Sequence, residues 1–297
     1  MATLRDIKSR IRSVSSIERI TSAMKMVAFV KSKKVQKQAE EARPYTKKIA
    51  YTLKLILNSD ADIIADHPLF KPKNEVVKNI AVVVVASDKG MCGSFNSNLF
   101  KQIELYLKNE IYIKYPEAKL HIIAVGNKAV DYFNKRNYDV IASFNNAFQS
   151  LDFTMVERLK KVFYEKFLIG EIDRVEIYFN RFVNVLKQDP TFFPLLPIDI
   201  SIKPEDSDKI YDYIFEPDKK MILDTLINQY LDVSIWTSLL ESNASEQSAR
   251  LIAMDKATQN ANELIKDLQL QYNNARQAAI TTEMLEIVGG AEALRKL

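Results

Sequence analysis

The chain has 297 residues, of which 47% are apolar and 27% charged, and its formal net charge at pH 7 is +4. This composition is typical of a globular protein with a substantial core and excludes a disordered chain. No run of 18 or more apolar residues occurs, which argues against a membrane-spanning helix. We therefore expect any membrane link to go through a partner.

The cysteine and histidine content narrows the chemistry. A single cysteine, Cys92, excludes an internal disulfide, and two distant histidines, His67 and His121, argue against a zinc site. The first residues enter a charged, periodic pattern at once, which predicts that no signal or transit peptide is present.

Glycine and proline are concentrated in the middle of the chain. Residues 1–89 and 171–288 contain no glycine, and no proline follows Pro217. Because these residues penalise a helix interior most, the pattern predicts two long helices around a compact domain. The predicted boundaries are 1–58 for the first helical arm, 75–204 for the domain and 210–297 for the second arm.

The first arm repeats apolar residues at steps of three and four, which predicts a helix with one apolar stripe. We expect Pro44 to kink or interrupt it, and a second helical stretch to run to about Asn58. The stripe consists of Leu4, Ile7, Ile11, Val14, Ile17, Ile20, Met24 and Val27.

This first arm is also basic, with thirteen Lys and Arg against four Asp and Glu in residues 1–50. A basic helix can bind nucleic acid, form a solvated face or dock on an acidic protein. Nucleic acid fits poorly, because the helix already offers its stripe to the other arm rather than to a dimerising zipper.

The middle of the chain predicts an α/β domain with a mostly parallel, Rossmann-like sheet. The segment Thr191–Ile198 is expected to add an antiparallel edge strand after turn residues Lys187–Pro190, since its prolines suit an edge. The other predicted strands are IAVVVVAS (80–87), KLHIIAVG (119–126), YDVIASF (138–144) and DRVEIYFNRF (173–182).

The loop SDKGMCGSFN at 87–96 stands where such folds bind nucleotides. Its G-x-x-G spacing lacks the third glycine of a dinucleotide fingerprint, and no Walker motif is present. Cys92 has no base placed by sequence to activate it, so we interpret it as a small residue in a tight turn. The alternative interpretation of the whole chain is a Rossmann-like enzyme with helical appendages.

The second arm carries a seven-residue repeat, which predicts a left-handed coiled coil with the first arm, antiparallel to it. A helix from about Lys219 to Val288 would be roughly 100 Å long. Its last residues, with Ile280, Met284, Leu285, Ile287 and Val288, are apolar on more than one face and predict an interaction site. The repeat consists of Leu240, Ala244, Gln247, Leu251, Met254, Thr258, Ala261, Ile265, Leu268, Tyr272, Ala275, Ala279 and Thr282.

Three segments together resemble the gamma subunit of F-type ATP synthases, the central rotor stalk, in its bacterial form. They are IKSRIRSVSSIERITSAMKMVAFVKSKKVQ near the start, SDKGMCGSFN in the middle, and ASEQSARLIAMDKATQNANELIKDLQLQYNNARQAAITTEMLEIVGGAEAL near the end. Their order and spacing extend the resemblance over the whole chain.

The resemblance implies a coiled coil that turns inside a hexamer of alpha and beta subunits and carries torque to and from the membrane c ring. It implies an epsilon-type subunit as a further partner and a peripheral position on the cytoplasmic side of a bacterial plasma membrane. It implies no catalysis, cofactor or metal in this chain. The basic first helix would face acidic loops of the beta subunits.

Functional residues follow by resemblance position by position. Lys25 stands where the family often has an acid, and Ser94 where it often has a second glycine; a cysteine-bearing insertion of chloroplast members is missing. The implied contacts to the surrounding subunits are Met24, Arg250, Arg276, Gln277, Thr281 and Glu283. The implied foot toward the c ring is Tyr213, Phe215, Glu216 and Pro217.

Overall fold

A computed structural model of the chain describes residues 3–59, 67–71, 73–74, 76–198, 216 and 218–295. The chain divides into two compact units. The helix-pair unit comprises Met1–Ala28 and Leu251–Leu297, and the sheet unit comprises Phe29–Arg250. The long helices α1 (Leu4–Ser59) and α5 (Lys219–Arg295) each contribute residues to both units.

The sheet unit contains five strands and three further helices. Helix α2 continues through a π-helical turn at Leu107–Ile111 and one α-helical turn at Tyr112–Lys114. In chain order the elements are β1 (Asn79–Val85), α2 (Phe95–Tyr106), β2 (Lys119–Val125), α3 (Asn127–Asn134), β3 (Asp139–Phe144), α4 (Phe153–Ile169), β4 (Arg174–Phe182) and β5 (Gln188–Leu196).

The strand order is β3-β2-β1-β4-β5, with the first four strands parallel and β5 antiparallel to β4. This confirms the predicted α/β fold class and the antiparallel edge strand. The strand begins at Gln188, however, three residues before the predicted start. The chain turns earlier because the Asn184 side chain accepts hydrogen bonds from the backbone N–H groups of Leu186 (2.9 Å) and Lys187 (2.8 Å).

Central strand β1 is buried on both faces and divides two apolar cores. Ile80, Val82 and Val84 pack with residues of α2 and α3 on one side. Ala81 and Val83 pack on the other side with residues of α1, α4 and α5. A continuous apolar run in a parallel strand is what burial on both faces requires.

The apolar stripe predicted for α1 is wrong at three of its positions, Ile17, Ile20 and Val27. Ile17 and Val27 are 52% and 56% exposed, and Ile20 is exposed as well. Burial instead follows an unbroken heptad from Leu4 to Ile56, whose two seam positions recur every seven residues. Polar and small residues occupy that seam in its middle, so the apolar pattern and the buried face diverge. The two seam series are Leu4, Ile11, Glu18, Lys25, Ser32, Ala39, Thr46, Leu53 and Ile7, Val14, Thr21, Ala28, Val35, Ala42, Ile49, Ile56.

Pro44 does not interrupt α1, which is assigned as helix throughout Leu4–Ser59. The predictions of an interruption at Pro44 and of a separate second helical stretch are therefore wrong. In α5 the predicted repeat is confirmed, since its positions are buried or half-buried as far as Ala279, and only Thr282 is exposed. The helix extends beyond the predicted Val288 to Arg295, because two glycines cost a helix only about 1 kcal/mol each.

Gly126, after β2, is where two loops of the sheet unit meet most tightly. Its φ is +89°, and a Cβ there would lie 2.1 Å from the backbone oxygen of Ala86. Its N–H donates to Phe144 O over 2.9 Å. A backbone oxygen that belongs to a buried strand end cannot move aside, so only glycine fits.

We expect Gly126→Ala to lower the free energy of unfolding of the sheet unit by about 3 kcal/mol or more, from backbone strain and overlap together. Gly90→Ala is the matched control, since a Cβ at Gly90 meets nothing closer than Lys128 Cε at 3.9 Å. Urea denaturation of the full chain measures both. Equal stability of the two variants would contradict the tight approach described for Gly126.

Candidate functional site: the helix pair and the seat of α5

Ten consecutive residues of α5, Glu241–Arg250, are all buried in the sheet unit. A helix buried on every side is surrounded by protein, although this stretch reads ESNASEQSAR and holds eight polar residues. Small side chains let neighbours approach closely, and buried polar groups require internal hydrogen bonds. We call this stretch the seat of α5.

The seat closes the carboxyl edge of the sheet. Ser242 Oγ donates to the carbonyl of Val85, the last residue of β1, over 3.3 Å. Beside it, the Asp88 carboxylate accepts from the backbone N–H groups of Ala147 (3.1 Å) and Phe148 (2.8 Å). In doubly wound folds, ligands bind in the crevice at this edge. Here the chain's own helix and loops occupy it, which disfavours the nucleotide-site alternative.

Arg250 joins the seat to the loop 87–96. Its Nη1 donates to Gly90 O over 2.5 Å, and its Nη2 donates to Lys89 O over 3.2 Å and to Glu246 Oε1. Both side chains of the pair are buried. Burial raises the pKa of the Glu246 carboxyl, and the Arg250 charge works against that rise. The structure thus places Arg250, predicted as a contact to other subunits, in an internal ion pair that holds a loop.

The surroundings of Cys92 and the backbone conformation of Ser94, in the same loop, point to structural rather than catalytic roles. Cys92 is buried beside Phe95 and Ala249, and this burial raises the pKa of its thiol, which disfavours the nucleophilic thiolate. Ser94 has a φ of −86°, so the position where the family often has glycine does not require it here.

The two histidines lie against carboxylates elsewhere in the sheet unit. His67 Nε2 is 3.1 Å from Asp224 Oδ1, and His121 Nδ1 is 2.6 Å from Asp139 Oδ2. Within the described ranges, no group of three or more His, Cys, Asp or Glu side chains could hold a metal ion.

Among the described residues of the helix-pair unit, two polar contacts join α1 to α5. Lys25 Nζ lies 2.6 Å from Asp255 Oδ1, and Thr258 Oγ1 lies 2.8 Å from Thr21 Oγ1. The departure noted at Lys25 is therefore matched by a carboxylate within this chain. The neighbouring Met24, a predicted contact residue, is half-buried.

The later part of α5 presents most of the predicted contact residues to solvent. Arg276, Gln277, Thr281 and Glu283 are exposed, and the Thr281 hydroxyl donates only to its own helix, at Gln277 O over 2.9 Å. The apolar residues of the predicted interaction site, Ile280, Met284, Leu285, Ile287 and Val288, are exposed as well.

The predicted c-ring foot falls mostly outside the described residues. Tyr213, Phe215 and Pro217 are among those left out, and Glu216 is exposed. No helix in the described part of the chain is long and apolar enough to cross a membrane.

Sequence reasoning missed one surface. Ile17, Ile20, Met26 and Val27 of the helix-pair unit are large, apolar and exposed. The signal that could have found them is the unbroken heptad, which assigns the neighbouring Thr21 and Ala28 to the seam instead.

Comparison with known proteins gives consistent matches over the whole chain. A family model described as ATP synthase matches residues 3–294. The "ATP synthase gamma chain" of Chloroherpeton thalassium is 40% identical over 305 residues, covering 100% of this chain and 99% of that protein.

Two solved chains share the fold. One comes from the Euglena gracilis mitochondrial ATP synthase rotor, with a TM-score of 0.65, 18% identity, and coverage of 93% of this chain and 98% of that one. The other comes from the OSCP/F1/c-ring structure of the same enzyme, with a TM-score of 0.69, 22% identity, and coverage of 98% and 94% respectively.

Removing the Arg250 side chain leaves the Glu246 carboxylate buried without its cation. We expect Arg250→Ala to destabilise the sheet unit by about 3–5 kcal/mol at pH 8. The loss should shrink at lower pH, because a carboxyl with a raised pKa favours the fold when protonated and disfavours it as pH rises through that pKa. Urea denaturation at several pH values between about 5 and about 8 measures this change in the free energy of unfolding.

Two further variants sharpen the Arg250 measurement. Glu246→Gln combined with Arg250→Ala should recover part of the stability and remove the pH dependence. Arg276→Ala, at an exposed position of the same helix, should change little. A pH-independent deficit in Arg250→Ala would contradict the role assigned to Glu246.

The seam can be tested with two leucines that lie two residues apart on α5. Leu268 is 3% exposed and Leu270 is 65% exposed. Leu268→Asp should bury a charge and cost the helix-pair unit about 3 kcal/mol or more, whereas Leu270→Asp should cost little. Hydrogen exchange of the α5 amides measures the opening of this unit, and equal exchange in both variants would argue against the pairing.

Proposed function

Because the chain belongs to the ATP synthase gamma-chain family, we propose that it is the central rotary stalk of a proton-translocating F-type ATP synthase. In this role it transmits torque between the membrane c ring and the catalytic alpha/beta hexamer, during synthesis or hydrolysis of ATP. The match over residues 3–294 is the observation that carries the proposal, and the fold of the Euglena gracilis rotor chain agrees with it.

The architecture supports a mechanical role. One unbroken helix, α5, is buried on all sides at Glu241–Arg250 and carries a heptad seam beyond that seat. A helix held by hydrogen bonds to Val85, Lys89 and Gly90 resists rotation about its own axis. Resistance of this kind is what a torque-bearing element needs where it joins its globular domain.

The exposed surfaces of the helix pair support contacts to the hexamer. Apolar side chains that a lone helix pair would leave in water, such as Leu285 and Ile287, suit a surrounding bearing. The basic α1 suits acidic loops of the beta subunits, where half-exposed charges attract without deep desolvation. Met24, Arg276, Gln277, Thr281 and Glu283 are the proposed contacts.

Coupling then works as a population shift. Each orientation of the stalk contacts open and closed beta subunits differently, and this difference in contact energy becomes a difference in nucleotide affinity. The chain itself carries no catalysis and no cofactor in this proposal. The carboxyl edge of its sheet, filled by Ser242 and the Asp88 loop, supports that view.

The foot of the stalk is proposed to include Tyr213, Phe215, Glu216 and Pro217, with the c ring and an epsilon-type subunit as partners. The chain would sit peripherally on the cytoplasmic side of a bacterial plasma membrane and reach the bilayer only through the ring. Arg250 is proposed to affect coupling indirectly, through the loop that it holds.

The proposal predicts what the chain brings with it on purification. An affinity-tagged chain extracted with mild detergent from its native membranes should recover alpha and beta subunits in molar excess over itself, together with the c ring. Mass spectrometry and band densitometry measure the ratio, and an untagged strain is the control. Recovery of the tagged chain alone, as a free protein that turns over nucleotide, would contradict the proposal.

A further inference from the structure

The buried seam of the helix-pair unit carries several small side chains near its centre, beside one large side chain, Met254, which is 5% exposed. Thr21 and Ala28 of α1 and Ala261 of α5 are buried there, while large apolar residues of α1 such as Ile20 point to solvent. In a coiled coil, large knobs fitting into specific holes distinguish one axial alignment from another. Small residues distinguish alignments poorly, so at this point of the seam polar contacts contribute to the alignment of the two helices.

Four polar side chains supply contacts at this point of the seam. Thr258 Oγ1 lies 2.8 Å from Thr21 Oγ1 and 2.8 Å from the Met254 carbonyl oxygen of its own helix, and Thr21 Oγ1 donates to the carbonyl of Glu18 over 3.0 Å. Lys25 Nζ meets Asp255 Oδ1 at 2.6 Å, with both side chains about two-fifths exposed. We call Thr21, Lys25, Asp255 and Thr258 the polar lock.

A shift of one heptad would keep the seam but break the lock. Moving α5 by seven residues in either direction places Leu251 or Ile265 opposite Thr21, and Ser248 or Asn262 opposite Lys25. An aliphatic side chain cannot donate to the Thr21 hydroxyl, and neither Ser248 nor Asn262 carries a charge for the ammonium group. We propose that the polar lock fixes the axial alignment of the two helices in this unit.

The sheet unit uses the same chemistry between the same two helices. Ser32 Oγ lies 2.9 Å from Ser248 Oγ, and Gln36 Nε2 donates to Ser32 Oγ over 2.7 Å. A heptad shift there would place Glu241 or Asp255 opposite Ser32. A buried polar residue at a seam position is a known way to specify alignment at some expense of stability.

The test measures alignment directly in the full chain. Spin labels are attached to cysteines introduced at Arg12 and Asn260, two exposed positions of the helix-pair unit, while the native Cys92 is only 2% exposed. A heptad shift moves one label along the axis by about 10 Å. Pulsed electron spin resonance should report one distance for the otherwise unchanged chain.

The lock variant combines Thr21→Val, Lys25→Ala, Asp255→Ala and Thr258→Val. We expect it to keep its helix content and to gain a second distance in at least about a tenth of the molecules. The matched control combines Ser13→Ala, Ser16→Ala, Thr281→Val and Thr282→Val, whose hydroxyls are exposed and donate only to carbonyls of their own helix. It should keep one distance.

A charge exchange separates alignment from mere packing. Lys25→Asp alone opposes two carboxylates and should produce the second distance, whereas Lys25→Asp with Asp255→Lys should restore the single one. The proposal is overturned by a single distance in a helical lock variant, or by a second distance in the matched control. Unfolding of the lock variant would also overturn it, since the contacts would then supply stability rather than alignment.

Discussion

Burial of the polar seat of α5 is the constraint on which the sheet unit depends. A stretch with eight polar residues in ten can be surrounded by protein only if its polar groups form hydrogen bonds inside the fold. Ser242 donates to the carbonyl at the end of β1. Arg250 donates to the Lys89 and Gly90 carbonyls and to the Glu246 carboxylate. Glu241 likewise accepts from Arg43 of α1 over 3.0 Å. The seat therefore ties α5 to α1, to β1 and to a loop at once.

Such directional contacts differ from apolar packing in what they resist. A helix face packed through small apolar side chains can shift slightly at little cost, because dispersion contacts are non-directional. Hydrogen bonds weaken steeply when their geometry is distorted. Polar contacts at the seat, and again at Thr21 and Lys25, thus oppose twisting and sliding of α5. This suits a protein whose proposed function is to transmit torque.

The sequence was sufficient for the strands and the course of α5, because both are dictated by strong local patterns: an unbroken apolar run in β1 and a regular heptad in α5. It misled in α1, where Ile17, Ile20 and Val27 imitate a seam while Thr21 and Ala28 form it. Hydrophobic periodicity alone cannot separate a face buried by its own chain from an exposed apolar face. The sequence could not predict the role of Arg250 either, since its partners Gly90 and Lys89 lie 160 and 161 residues away along the chain.

The prolines of the edge strand have a consequence for the newly made protein. Pro190 and Pro194 pair with Asn180 and Glu176 of β4 and offer no backbone N–H of their own. A sheet edge with missing donors is a poor template for a strand from another molecule, which protects the chain from cross-β aggregation during synthesis. The exposed apolar residues of the helices have no such protection. Self-association before assembly would therefore begin at the helices, and a chaperone that captures amphipathic helices would suit this chain better than one that caps strands.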